Sequence, residues 1–204
     1  MNTEVSELLQ GNPLLWRGCR LPGTSAASRP SGHAALDAVL PGGGWPLGAL
    51  TELIVPHWGI GELRLLLPAM AGFTRSRRWL VWIDPPLLPY APALVQGGID
   101  LDFCLLLGGP LRAADRSWAM EKLLPQRATG LVLAWPERMG MAESRRLQLA
   151  AQAGDGMAVL LLRQPPAASV ATLRLGLRPR EGGLEVSLLK ARGSWCRDTL
   201  SLDL

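Results

Sequence analysis

Lysine is nearly missing from this chain: among 21 basic residues only Lys122 and Lys190 are lysines. The others are arginines dispersed along the sequence, so the net charge of +4 forms no block that would grip a phosphate backbone by counterion release. Arginine serves protein interfaces as readily as nucleic acid, and direct DNA contact is expected to be weak. Cysteine is scarce as well. Cys19, Cys104 and Cys196 are odd in number and far apart, with no C-x-x-C pair and only His33 and His57 to assist them. That pattern suggests neither a disulfide framework nor a zinc site, and no metal or cofactor is expected. No run approaches the roughly 18 apolar residues of a membrane-spanning helix. The start of the chain carries Glu4 and Glu7 ahead of Leu8-Leu9, not the basic-then-apolar order of a signal peptide. A cytoplasmic protein is expected, nucleoid-associated only when recruited to DNA.

What is present is a globular composition, 48% apolar over 204 residues, enough for one substantial core. The sequence divides into a lead-in segment, residues 1–28, and a single domain, residues 29–204. In the lead-in, Leu8, Leu9, Leu14, Leu15 and Trp16 are interrupted by Gly11-Asn12-Pro13, and Thr24 to Ser28 reads as a flexible link. These residues either fold back on the domain or dock a partner. In the second case Leu14, Leu15, Trp16 and Arg17 are the contact residues, with Trp16 the anchor.

The stretch from Pro30 to Met70 organises the rest. It reads as a short helix (Ala34 to Val39), a glycine turn (Gly42-Gly43-Gly44), a strand (Leu50 to Val55), a loop with Gly59 and Gly61, and a leucine-rich helix. This is the layout of a strand-loop-helix phosphate cradle. A working cradle reads G-x-x-x-x-G-K-[ST], in which backbone N–H groups wrap the phosphates, Lys balances their charge and the hydroxyl binds Mg²⁺. Here Gly61 is followed by Glu62 and Leu63, five residues rather than four separate Val55 from Gly61, and the first glycine is absent. A carboxylate beside a triphosphate turns attraction into repulsion, about 1 to 4 kcal/mol each way at a partly exposed site. The degenerate cradle of Gly59, Gly61, Glu62 and Leu63 is therefore expected to hold no nucleotide.

Ser31-Gly32, Leu36-Asp37, Leu40, Gly42-Gly43-Gly44, Pro46, Gly48 and Glu52 resemble, in order and nearly in spacing, the approach to the core of RecA-type recombinases. Further segments narrow the resemblance: Trp16-Arg17-Gly18, Ala49 to Leu53, Gly59 to Pro68, Trp82-Ile83-Asp84-Pro85-Pro86 and Leu188 to Gly193. With these the chain resembles the ImuA family, RecA-like accessory proteins of bacterial mutagenic translesion synthesis, itself similar to the cell-division inhibitor SulA. The resemblance implies an α/β fold: a RecA-like three-layer core with a mostly parallel central sheet and a C-terminal antiparallel hairpin. It also implies a non-catalytic adaptor of the SOS response, with ImuB and the error-prone polymerase ImuC as partners, RecA as a further one and self-association as an option. The alternatives are a SulA-like inhibitor binding FtsZ and a residual ATPase.

The remaining segments bear on that choice. Leu63, Leu66, Leu67 and Met70 fall at helical spacing and are expected on one buried face, with Pro68 kinking the helix or delaying its start. Trp79 to Asp84 reads as a central strand; the resemblance places Asp84 beside the water-activating acid of active relatives, but Pro85-Pro86 follows. Leu101 to Leu107 reads as a strand, and Asp115 as the cap of a helix ending near Leu124. Gly130 to Trp135 matches the strand that delivers a magnesium-binding Asp in such relatives, and ends in Ala134 and Trp135. A helix from Met141 to Ala153 is stopped by Gly154, and Met157 to Arg163 is a buried strand. Thr172 to Arg178 and Gly183 to Lys190 read as a hairpin, and Thr199 to Leu204 as an edge strand with a faint likeness to clamp-binding peptides. Lys190 and Arg192 resemble a Lys-x-Arg pair aimed at a neighbouring protomer, and read otherwise as surface cations at a strand end. Trp45, Trp58 and Trp195 are each either exposed anchors or core.

Overall fold

The computed structural model describes residues 27–109, 111–192 and 198–204. Ser28–Arg29 (β1) pairs antiparallel with Trp45–Pro46 (β2), so the end of the expected flexible link is a short strand. Between them lies the helix Ala34–Val39 (α1). Its place is fixed by the Ser31 N–H donating to Asp37 Oδ1 at 2.8 Å and by Leu36, which is fully buried. Trp45 is fully buried too, which settles it as core; Trp58 is half-buried and Trp195 lies outside the described residues.

The main sheet takes Ala49–Ile54 (β3), Trp79–Ile83 (β4), Cys104–Leu107 (β5), Thr129–Ala134 (β6), Met157–Leu162 (β7), Leu173–Arg180 (β8), Gly183–Ala191 (β9) and Thr199–Asp203 (β10). Its order is β10-β9-β8-β3-β7-β6-β4-β5. From β8 to β5 all neighbours are parallel, and β9 runs antiparallel to both its neighbours, β8 and β10. The fold is thus mixed α/β with a mostly parallel sheet and antiparallel C-terminal strands. The hairpin expected near Pro179 is tighter than its turn signal indicates: Glu181-Gly182 alone connect β8 to β9, with Gly182 at φ 74°. β6 and β7 read as nearly continuous apolar runs because both their faces are covered.

Helices Glu62–Arg75 (α2), Ala91–Gln96 (α3), Ala113–Leu123 (α4) and Met141–Ala153 (α5) complete the domain. α2 departs from expectation in two ways. Its buried face is Glu62, Leu65, Leu66, Ala69, Met70 and Phe73, while Leu63 and Leu67 are half-buried, so the stripe is rotated by about one residue. The unbroken apolar run from Leu65 to Ala71 leaves the phase open to periodicity alone. The helix also runs unbroken from Glu62 through Pro68 to Arg75. Pro68 forfeits one main-chain hydrogen bond, but its ring packs where only Gly32 fits: a Cβ on Gly32, at φ 87°, would meet Pro68 Cβ at 2.5 Å.

Three smaller expectations are corrected. The segment before β5 is a 3₁₀ turn, Leu101–Phe103, capped by Asp100, so the strand is four residues long. The N-cap of α4 is Arg112; Asp115 sits in the first turn and pairs with Arg112 at 2.8 Å. Gly154 ends α5 in an extended conformation, φ −109°, and is needed because a Cβ there would collide with the Leu124 carbonyl. Among the described residues no helix is long and apolar enough to cross a membrane.

Candidate functional site: a phosphate cradle filled by its own carboxylate

β3 and α2 place the loop between Val55 and Glu62 at the C-terminal end of the central strand, beside the ends of β7 and β8. The loop turns on Gly59 at φ 87° and Gly61 at φ 114°, a region closed to most side chains. Its N–H groups point inward, as they would toward a phosphate, and find Glu62. The Gly59 N–H donates to Glu62 Oε1 at 2.9 Å and the Gly61 N–H to Oε2 at 3.1 Å. The side chain is buried, and it stands at the positive end of α2, where an anion is favoured. Glu62 thus satisfies the loop from within, and a second anion would have to displace it against charge repulsion. Leu63 is half-buried, and Leu184 and Leu204 approach within 3.6 Å of where a Gly61 side chain would be. The C-terminal strands thereby close over the loop with hydrocarbon.

The other two positions implied by the resemblance are equally committed. Asp84, in the left-handed region at φ 53°, is ion-paired with Arg116 of α4. Ala134 and Trp135 at the end of β6 are buried, and the Trp135 ring stacks on Trp82 at 5.8 Å. Among the described residues no group of three or more His, Cys, Asp or Glu could hold a metal ion.

Of the residues read as partner contacts, Leu14, Leu15, Trp16 and Arg17 lie outside the described residues. Arg192 is exposed, its N–H bonded to the Thr172 carbonyl. Lys190 is not a free surface cation: it is half-buried and its Nζ donates to the Ser169 carbonyl at 2.9 Å. Burial, aided by the Arg174 charge and opposed by Glu52, draws its pKa below the usual lysine value. The tail is not a clamp-binding peptide on offer, because Leu202 is buried and Leu200 and Leu204 are half-buried against the core.

Two features escaped the sequence reading. Glu52, with no exposed surface, receives Arg174 Nε at 2.6 Å and the Ser169 hydroxyl at 2.5 Å. An acid inside the otherwise enclosed strand ALTELI was the available signal, since such a charge requires a cation nearby. The second is the loop from Pro85 to Tyr90. Leu87, Leu88 and Tyr90 are 72%, 81% and 71% exposed, and three prolines in six residues hold the loop outward. Successive large apolar side chains presented this way are a candidate surface for protein contact.

No protein-family model matches this chain. It is similar to curated proteins described as "Cell division inhibitor SulA". The one from Pectobacterium atrosepticum is 32% identical over 126 residues, 60% of this chain and 70% of the relative. That from Serratia marcescens is 26% identical over 119 residues, 57% of this chain and 69% of the relative. That from Photorhabdus laumondii is 29% identical over 101 residues, 50% of this chain and 56% of the relative. Among solved structures it is similar to SulA from Pseudomonas aeruginosa, 26% identical with a TM-score of 0.46, over 55% of this chain and 97% of that chain.

Proposed function

The chain belongs to the SulA family, and on that premise we propose that it is a non-catalytic component of the SOS response that works by binding other proteins. The observation that carries this is the Glu62 carboxylate seated on the Gly59 and Gly61 N–H groups. A cradle that supplies its own anion has no use for a nucleotide's, and binding by shape and charge needs no hydrolysis. The exposed Leu87, Leu88 and Tyr90, together with Arg192, provide surface for such contacts.

Two partner sets divide the proposal. The name carried by the relatives speaks directly for inhibition of cell division, with FtsZ as the target. The resemblance of Ser31 to Gly48 and the later segments to the ImuA family speaks for an adaptor in mutagenic translesion synthesis, acting with ImuB and the polymerase ImuC. We favour the adaptor, because the approach from Ser31 to Gly48 is built into the core through Leu36, Leu40 and Trp45. It lies among the residues on which the ImuA resemblance rests. RecA descent and contact with RecA are part of the same proposal.

Pull-down with purified ImuB tests it. A complex is expected, weakened by Trp16→Ala and by Leu88→Asp. No complex at tens of micromolar, combined with filamentous growth on expression of the chain, transfers the assignment to FtsZ. Neither complex nor filamentation overturns both.

A further inference from the structure

The helical layer formed by α4 and α5, on the side of the sheet opposite α2, carries unmatched charge on its outer face. Inward, Met120, Leu147 and Ala151 pack on the sheet. Between the helices, the Ser117 hydroxyl donates to Glu143, and Arg146 Nε donates to Glu121 Oε1 at 2.7 Å. The two bridges join residues that advance together along the helices, so α4 and α5 lie side by side and parallel. Outward, Trp118 and Lys122 stand one turn apart on α4, and Arg145 and Leu149 one turn apart on α5. The bridges set Trp118 level with Arg145 and Lys122 level with Leu149. Apolar group and cation therefore alternate both along each helix and across the pair.

Two properties distinguish this face from ordinary surface. Trp118 is 63% exposed, more than any other tryptophan among the described residues, and Leu149 is 66% exposed. A single exposed apolar side chain needs no explanation; here two large ones share a face. The carboxylates of the layer are also already engaged: Asp115 by Arg112, Glu121 by Arg146 and Glu143 by Ser117. Lys122 and Arg145 are exposed, and among the described residues neither has a carboxylate partner.

We propose that this face binds a short acidic amphipathic segment of another protein, laid as a helix along α4 and α5. Its carboxylates meet Lys122 and Arg145, and its apolar residues meet Trp118 and Leu149. Docking of a helix in a groove reads side chains one turn apart, which is the spacing presented, and Trp is a favoured interface anchor. Nucleic acid suits the face less well. Its phosphates follow one another without a gap, and the Glu121 and Glu143 carboxylates between the helices would repel them, whereas a peptide places its acids singly. The proposal rests on the reading of the domain as a binder of proteins and holds for either partner set; pull-down with ImuB tests that reading, and this face has its own assay.

Selection of displayed peptides of roughly 12 residues on the full chain provides it. The enriched sequences are expected to combine Asp or Glu with Leu, Ile or Phe at one-turn spacing. In fluorescence anisotropy, Trp118→Ala should weaken a selected peptide about tenfold or more. Lys122→Glu with Arg145→Glu should abolish its binding and restore binding of the same peptide remade with Lys at each acid, with circular dichroism confirming the fold. No enrichment, enriched sequences without acids, or binding indifferent to these substitutions overturns the proposal. So does a labelled poly-dT strand whose binding requires Lys122 and Arg145, which assigns the face to nucleic acid. A gain in peptide affinity of about tenfold on deleting residues 1–26 also overturns it, by assigning the face to the lead-in segment.

Discussion

Glu52 on β3 and Arg174 on β8 stand directly opposite each other in the parallel ladder, and Arg174 Nε donates to Glu52 Oε2 at 2.6 Å. This pair joins the parallel sheet to the C-terminal strands that cover the cradle. Removing one partner leaves a buried charge uncompensated, so Glu52→Ala or Arg174→Met should each cost about 3–5 kcal/mol. Replacing both by Met should recover most of that loss. Urea unfolding midpoints of the two single variants and the double variant check it.

Glu62→Ala leaves two part-exposed main-chain donors without their acceptor, and the expected cost is about 1 kcal/mol. The loss should be local. Hydrogen exchange at Gly59 and Gly61 should accelerate well before exchange in β3, and equal acceleration in both would contradict the role given to this side chain.

Gly32→Ala meets two obstacles at once: a φ of 87° and the Pro68 ring at 2.5 Å. A destabilisation of about 2 kcal/mol or more is expected from strain and overpacking together. Pairing it with Pro68→Gly, which removes both the Cβ and the Cγ it would meet, should relieve the steric part and leave the backbone part, which thermal unfolding of the two variants separates.

How much of this was legible in the sequence depends on what each signal encodes. The enclosed strands β6 and β7 were readable because parallel strands covered on both faces are written as apolar runs. The register of α2 was not, since Leu65 to Ala71 are apolar all round and only contact with the sheet fixes which side is buried. Glu62 could be recognised as the residue that disables a phosphate site, but its bond to the loop follows from backbone geometry that spacing does not carry. The Glu52–Arg174 pair joins residues 122 positions apart, and its partner could not be named before the strand order was known.

Burial, reinforced by Asp100, pushes the Cys104 thiol up from 9.0 to about 11. The unfolded thiol ionises from pH 9 and the folded one only near pH 11, so the folded form binds more protons in between. Its contribution to stability is therefore intact below pH 9 and lost as pH rises toward 11. Because the thiolate is the nucleophile, alkylation of Cys104 in a Cys19→Ser/Cys196→Ser variant should remain slow at pH 9 and climb toward pH 11. A rate midpoint near 9 would contradict this.

The central claim is that Glu62 occupies the place of a bound phosphate and that the domain acts through protein contacts. Calorimetric titration of the purified chain with ATP and Mg²⁺ tests it most directly. The account predicts no binding heat, for wild type and Leu88→Asp alike; saturable binding with a micromolar dissociation constant would contradict it.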